Sequence, residues 1–439
     1  MKLSIGKLKS IHVLVIAFII LSSLLRCIGM GEYQHIMTLM WFIAITVFAL
    51  YKINSVDDAN ARLIISFGFV VRLGTVVFEI VTGMRIESIF SLRDSFGFLQ
   101  LAGGLYRNES VEMTNRYPLY LNVLYHIFGE NYVIIQLLNV ALSVMTLITV
   151  CAVMRYLEVD KKLLLIALLI LSFAPMFVVY NIAVLRESIY SFLLTYSVAY
   201  YVKWMYGERM PDFVMACLWG AMAALLHEGL ILVTLAYIVF FYVDKRNRKK
   251  VVVLTKMLMV IGAFALIPIA LQIGNIGYLR FNEFGNFFKT VALVLERHNA
   301  DAGNSFYLGT LEYDGSFRQF LLYSPIRIMY YFLSPVPWEL HRAKDAVAFV
   351  GDSLIHLVFF YQVIKLLLLH KPIMFGKAQA FKKYDRIIIA LALIIFAVAM
   401  IYAWGTTTAG TAIRHRDTFL SIEVLLIGMI IHRFRTVRL

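Results

Sequence analysis

The sequence has little charge. Asp, Glu, Lys and Arg together make up 15% of the 439 residues, whereas hydrophobic residues make up 61% and the mean hydropathy is +0.79. A typical soluble domain carries about 25% charged residues, so this composition excludes that class. Apolar runs long enough to cross about 30 Å of hydrocarbon recur along the chain. We therefore predict an all-α, polytopic helical membrane protein.

Cysteine is also scarce. The three cysteines are Cys27, Cys151 and Cys217, and each lies in an apolar segment. Their positions predict neither a disulfide framework nor a cysteine-based metal site.

About twelve apolar segments are candidates for membrane spans. They cover residues 10–30, 36–53, 62–84, 131–155, 162–180, 188–205, 212–226, 229–243, 251–273, 347–369, 386–404 and 417–432. If these spans alternate in direction, the strongly basic loops and both termini fall on one side, which the positive-inside rule makes cytoplasmic. The net charge of +14 then reflects topology, and we expect no nucleic-acid partner.

The opposite, outer side receives ionisable residues that a membrane loop does not need. In the first outer segment, residues 85–130, we expect amphipathic helices at the interface, one of which starts near Asp94. The helix dipole would keep a carboxylate at that position ionised. His227 and Glu228 form the tip between two spans of about 15 residues each, which is short for a full crossing at 1.5 Å per residue. Ionisable groups at membrane depth usually mark a functional path.

One outer carboxylate and several outer arginines suit a lipid-linked phosphosugar. Arginine binds phosphate through charge-assisted hydrogen bonds, and a carboxylate can take the proton of an acceptor hydroxyl. We therefore predict Asp94 as the general base. The candidates for the donor phosphate are Arg186, Arg414, Arg416, Arg93, Arg116 and Arg280. The candidates for the sugar and acceptor are Glu187, His227, Glu228, His415 and Tyr117. Interfacial anchoring, helix-start charge pairing and lipid-headgroup contact remain open as alternative roles for these residues.

Several short motifs occur in order along this part of the chain. They are DSFGFLQLA (94–102), YPLY (117–120), IFGENYVIIQLLNV (127–140), LILSFAPMFVVYNIAVLRES (169–188), WGAMAALLHEGLILV (219–233) and RHRDTFLSIEVLLIGMI (414–430). The run from Asp94 to about Trp204 resembles the N-terminal half of GT-C superfamily glycosyltransferases, close to the family 39 or mannosyltransferase-like type. The resemblance implies that Asp94 is the base, on an outer loop, and that the donor is a polyprenyl-phosphate-linked sugar. It divides a single integral membrane domain, residues 1–439, into a GT-C-like module over 61–273 and a variable C-terminal module over 274–439.

These observations predict an inverting glycosyltransferase on the outer, periplasmic face of a cell inner (plasma) membrane. It would move a sugar from a polyprenyl-phosphate-linked donor to a glycan, lipid or protein acceptor. A repeat-unit polymerase of surface polysaccharide assembly would use the same arginine chemistry and stays open. A lipid or oligosaccharide transporter is a further alternative, although the charges gather at span ends rather than mid-span.

The sequence leaves a cofactor undecided. Asp94, Glu187 and Glu228 offer hard oxygen ligands, so a divalent metal is open, but no spacing demands one. The expected partners are the lipid-linked sugar or oligosaccharide and membrane lipid. The sequence does not set an oligomeric state.

Overall fold

The computed structural model describes residues 33–85, 87–111, 116–243, 313–314, 316–369, 379–406 and 408–437. Within these ranges the chain is helical and contains no strand. The helices are α1 (Tyr33–Asn54), α2 (Ala59–Thr82), α3 (Glu87–Tyr106), α4 (Tyr117–Phe128), α5 (Tyr132–Tyr156), α6 (Lys161–Phe173), α7 (Pro175–Ile182), α8 (Glu187–Gly207), α9 (Met210–Leu226), α10 (Ile231–Val243), α11 (Phe317–Leu333), α12 (Ala343–Ala348), α13 (Leu354–Leu369), α14 (Gln379–Gly405), α15 (Ala409–Asp417) and α16 (Leu420–Val437). A π-helical turn, Phe349–Ser353, joins α12 to α13.

In the described part of the chain, five helical segments are long and apolar enough to cross a membrane. They are Gln34–Asn54, Ala59–Thr82, Tyr132–Tyr156, Ala343–Leu368 and Lys383–Gly405. Helices α6 and α7 make a sixth if they count as one span, bent by 58°. The all-helical class is thus confirmed, and several apolar helices indicate a multi-pass membrane protein. The predicted spans at 10–30 and 251–273 lie outside the described residues.

The bend between α6 and α7 has a local cause. Pro175 has no N–H, so the carbonyl of Leu171 loses its usual helical donor. Arg72 of α2 replaces it: Nη2 donates to the Leu171 carbonyl at 2.8 Å and Nη1 to the Ser172 carbonyl at 3.0 Å. Nε of Arg72 donates to Oγ of Ser143 on α5 at 2.6 Å. One buried guanidinium therefore joins three helices at the break and fixes how α7 leaves α6.

The described part of residues 85–130, the segment predicted to lie on the outer side, forms two helices, α3 and α4, that pack against each other. The ring of Phe98 meets Tyr117 edge-on, with ring centroids 5.2 Å apart, and both residues are buried. Helix α3 begins at Glu87, about two turns before Asp94. The predicted helix start near Asp94 is therefore wrong, and the expected support from the helix dipole does not apply because the dipole acts within the first turn.

The RHRD motif begins in a separate helix, α15, which precedes α16. Helix α15 begins after Thr408, whose side chain accepts from the backbone N–H of Thr411. It packs against α7, α11 and α14, so the end of α15 lies inside the helical body. Arg414 and Arg416 are consequently buried, with 6% and 0% of their surface exposed.

Candidate functional site

Arg414 is the centre of a charged cluster built from three helices. Its Nη1 forms an ion pair with Oδ2 of Asp94 on α3, and its Nε lies 2.9 Å from Oε1 of Glu187 at the start of α8. Nε of Arg186 lies 3.9 Å from the same Glu187 oxygen. The Glu187 side chain is 3% exposed, whereas that of Asp94 is 46% exposed. The cluster therefore runs from a buried carboxylate, through a buried guanidinium, to an accessible carboxylate.

The turn before α8 positions Arg186 and Glu187. Nδ2 of the buried Asn139 on α5 donates to the carbonyl of Ala183 at 2.6 Å, and the hydroxyl of Ser188 donates to the carbonyl of Leu185 at 3.1 Å. These bonds satisfy backbone groups that leave the helical pattern between α7 and α8. Glu187 occupies the first turn of α8, where the helix dipole favours a negative charge.

A group of four rings lies next to the charged cluster. His227 follows the last residue of α9, and its Nδ1 is 2.9 Å from the hydroxyl of Tyr402 on α14. The ring of His415 lies 5.3 Å from that of His227 and 4.9 Å from that of Tyr402. Tyr190 of α8 meets His227 edge-on at 5.8 Å. Because His415 follows Arg414 in α15, the ring group and the charged cluster form one continuous site.

The two histidines carry no charge at neutral pH. Burial, together with the positive charges of Arg186 and Arg414, lowers the pKa of His227 to about 3. Burial and the neighbouring Arg414 also hold the pKa of His415 well below its usual value. The fixed charges of the site are therefore two arginines and two carboxylates. Neutral imidazoles can each donate one hydrogen bond and accept another without changing this balance.

Six of the predicted site residues come together here. They are Asp94, Arg186, Glu187, His227, Arg414 and His415. The tip at His227 was predicted between two short spans, and the structure places it between the shorter apolar helices Met210–Leu226 and Ile231–Tyr242. No sequence pattern marked Tyr190 and Tyr402 as members of the site, because tyrosines are frequent in this chain and both residues lie within helices.

The other candidates lie elsewhere or are not described. Arg116 is exposed and precedes α4, and Tyr117 is buried, with its ring stacked on Tyr120 at 5.9 Å between centroids. Arg416 contacts a different group of side chains. The backbone of Arg93 and Glu228 is helical, but their side chains are outside the described part of the chain, as is all of Arg280.

Of the three predicted metal ligands, the structure describes the side chains of Asp94 and Glu187 but not that of Glu228. The two carboxylates of this cluster are balanced by the two guanidinium groups of Arg186 and Arg414, so no excess negative charge is left to hold a metal ion. Among the described residues, the ligand atoms that approach one another most like a metal site belong to Asp352, His356 and Asp417, all within 4.8 Å of one another. Sequence reasoning missed this group. Its one signal was the spacing of Asp352 and His356, which are four residues apart in an apolar segment and so share a helix face.

Comparison with known proteins adds no further constraint. No family model, curated protein or solved structure matches the chain. The functional argument therefore depends on the geometry of the charged cluster and the ring group.

Proposed function

We propose that this protein is an inverting membrane glycosyltransferase of GT-C type. It moves a sugar from a polyprenyl-phosphate-linked donor to a hydroxyl group of a glycan, lipid or protein acceptor. The proposal depends on one observation above all: the accessible carboxylate of Asp94 is held against the guanidinium of Arg414, which is buried and anchored from behind by Glu187. Such an arrangement pairs a candidate base with a candidate phosphate ligand.

The donor phosphate would take the place of Asp94 on Arg414. Arginine presents its N–H groups as a planar fork that matches phosphate oxygens. The Nε side of the fork faces the buried Glu187, so it stays fixed, while the Nη1 side faces the accessible Asp94. Binding of an anionic donor therefore releases the Asp94 carboxylate into the site. The base becomes free only when the donor is bound.

The transfer step then uses only charged groups of this cluster. The acceptor oxygen attacks the anomeric carbon of the sugar as its proton passes to Asp94. The bond between that carbon and the phosphate oxygen breaks, and the phosphate leaves with the electron pair. Arg414, assisted by Arg186, stabilises the leaving phosphate electrostatically. A single displacement inverts the configuration of the anomeric carbon.

The ring group suits a sugar better than an ion. His227 and His415 are neutral, and with the Tyr402 hydroxyl they offer hydrogen-bond donors and acceptors that match sugar hydroxyls. Polar groups of this kind, few in number and fixed in place, set the orientation of a small ligand. We assign the sugar to this side of Arg414 and the lipid phosphate to Arg414 and Arg186.

The proposal includes the topology predicted from the sequence. It comprises twelve spans in a single integral membrane domain, cytoplasmic termini, and a site on the outer side of the inner membrane. The distribution of Lys and Arg between the two sides supports this orientation. The donor would then lie in the outer leaflet with its phosphate at the depth of Arg414.

The test uses the Asp94→Asn variant purified in detergent or nanodiscs. Donor consumption and donor binding are measured with a panel of polyprenyl-phosphate and polyprenyl-diphosphate sugars. A general base contributes about 10²–10⁴-fold to rate, so turnover should fall by that factor. Donor binding should be equal to that of the wild type or tighter, because Asn no longer competes for Arg414. The matched control is Asp57→Asn, which removes an exposed carboxylate that pairs with Arg155 at 2.9 Å.

Two results would contradict the proposal. Wild-type turnover by Asp94→Asn would remove Asp94 as the base. Failure of the wild type to bind any donor in the panel would remove the phosphosugar site. Weaker donor binding in Asp94→Asn, with Asp57→Asn unchanged, would show instead that Asp94 contacts the donor directly and does not compete with it.

A further inference from the structure

A second group of ionisable side chains is enclosed by helices and does not belong to the site described above. Asp352 and His356 lie in the π-helical turn and in α13, Arg416 and Asp417 end α15, and Glu423 lies in α16. Four of these residues are completely buried, and Asp417 is 2% exposed. A group of charges shielded to this degree must be close to neutral as a whole, because ions are costly to remove from water.

Arg416 balances one carboxylate of the group. Its Nε and Nη2 both donate to Oδ2 of Asp352, with Nε at 2.7 Å. Nη2 also donates to the hydroxyl of Ser353 at 3.0 Å, and Nη1 donates to the carbonyls of Tyr331 and Ser334. The hydrogen bonds of this guanidinium therefore go to Asp352 and its surroundings. No described N–H or O–H group donates to either carboxylate oxygen of Asp417, and its carboxyl group lies close enough to that of Asp352 to share a proton with it.

His356 lies between two carboxylates. Its Nδ1 is 2.5 Å from Oε2 of Glu423, and its Nε2 is 3.0 Å from Oδ1 of Asp352. When Nδ1–H donates to Glu423, a neutral ring turns its Nε2 lone pair toward Asp352, and the two facing atoms are then both acceptors. A positive species must lie between them. That species is either a proton or a metal ion.

The charges of the group point to the same choice. Asp352, Asp417 and Glu423 are three carboxylates, Arg416 is one cation, and a neutral His356 adds nothing. The excess is two negative charges. Either two protons or one divalent cation would neutralise it.

We propose that Asp352, His356 and Asp417 bind one divalent transition-metal ion, Zn²⁺ or Mn²⁺. Their ligand atoms all lie within 4.8 Å of one another, and no described N–H or O–H group donates a hydrogen bond to Asp417. Two ligand atoms that are each about 2.1 Å from one ion lie about 3–3.5 Å apart, which agrees with the 3.0 Å between Nε2 of His356 and Oδ1 of Asp352. Glu423 accepts from the other ring nitrogen, as carboxylates commonly do beside a metal-bound histidine. One imidazole with two carboxylates suits Zn²⁺ or Mn²⁺ better than Mg²⁺ or Ca²⁺.

The ion would connect α13 to the end of α15. Arg414 lies three residues before Asp417 in the same helix, so the ion would hold the helix that carries Arg414 in place. Its role is structural, because the group is closed to solvent. The inference does not depend on the proposed glycosyltransferase activity, and its test does not measure that activity.

The test is the metal content of the full chain, purified in detergent with a non-histidine affinity tag and without chelator. Elemental mass spectrometry should find about one Zn²⁺ or Mn²⁺ ion per chain in the wild type, because each chain has one proposed site. Asp417→Asn should lower that content by a factor of five or more. Asp385→Asn is the matched control, since it removes a half-buried carboxylate that pairs with Arg433 at 2.7 Å in another part of the fold. It should keep the wild-type content.

A second measurement covers the case in which a variant does not fold. Wild-type protein is dialysed against chelator, and its melting temperature is followed as Zn²⁺ or Mn²⁺ is added back, with Mg²⁺ as the comparison. A rise with Zn²⁺ or Mn²⁺ and none with Mg²⁺ supports the site. A wild type that contains no ion and shows no rise would overturn it and assign the neutralising charges to two protons. Equal metal content in wild type and Asp417→Asn would also overturn it.

Discussion

Replacement of Arg414 by glutamine tests which of its two ion pairs contributes more to stability, the buried pair with Glu187 or the accessible pair with Asp94. Asp94 is 46% exposed, and exposed pairs contribute about 0–1 kcal/mol. Glu187 is 3% exposed, and removal of the partner of a buried charge costs about 3–5 kcal/mol. Arg186 remains 3.9 Å from Glu187 and compensates in part for the lost charge. We therefore expect the free energy of unfolding of Arg414→Gln to fall by about 3 kcal/mol, the lower end of that range.

The double variant Glu187→Gln/Arg414→Gln should be more stable than Arg414→Gln alone. It leaves no unpaired buried carboxylate, and two amides of similar volume can hydrogen-bond to each other. Residues in direct contact show coupling energies of about 0.5–3 kcal/mol, and we expect a value in the upper half of that range. The free energy of unfolding is measured by circular dichroism during titration of mixed micelles with a denaturing detergent.

The matched control is Arg107→Gln, because Arg107 pairs with Glu109 on the surface at 2.8 Å. The midpoint of the denaturing-detergent titration of Arg107→Gln should equal that of the wild type. If the effects of Glu187→Gln and Arg414→Gln simply add, the two side chains are not coupled. The description of Glu187 as the anchor of Arg414 would then be wrong.

Two further predictions concern the bend and the histidines. Arg72→Met leaves the buried carbonyls of Leu171 and Ser172 without hydrogen-bond donors, which costs about 1–3 kcal/mol for each carbonyl. The free energy of unfolding should therefore fall by at least about 2 kcal/mol. An unchanged value would show that the bend does not need the guanidinium. His227 has a pKa of about 3 in the folded protein and about 6.5 when unfolded, so its stabilising contribution is complete above pH 6.5 and is lost as the pH falls toward 3. Wild-type stability, followed by the same detergent titration, should therefore fall by about 1.4 kcal/mol per pH unit more than that of His227→Gln between pH 6 and 4, and parallel curves would contradict the lowered pKa.

Local sequence patterns predicted the helices of this protein well but not their tertiary partners. The apolar runs at 36–53, 62–84 and 131–155 match α1, α2 and α5 within a few residues, because hydropathy and helix length are local properties. The start of α3 was misplaced because no capping residue marks Glu87 in the sequence. The ion pair between Asp94 and Arg414 joins residues 320 positions apart, and a single sequence carries no signal for such a contact.

The group around Asp352 and His356 was missed because candidate residues were sought only at the ends of the predicted spans. Charges at the outer ends of spans were taken as candidates, whereas Asp352 and His356 lie inside an apolar helical segment. Arg416 was assigned to the donor phosphate by its neighbourhood in RHRD. On a helix, however, residues two positions apart point in different directions, and Arg414 and Arg416 serve different groups. The choice between them required the position of α15.

The bend at Pro175 has a consequence for how the chain assembles in a membrane. Two bare carbonyls on α6 and a lone guanidinium on α2 are each unfavourable in hydrocarbon, where no water can satisfy them. Each becomes acceptable only when the other is beside it. We therefore expect α2 to remain in contact with the insertion machinery until α6 and α7 have been synthesised. The three helices would then enter the lipid together, because the hydrogen bonds of Arg72 link them. This entry would come only after about one hundred further residues had been synthesised beyond α2.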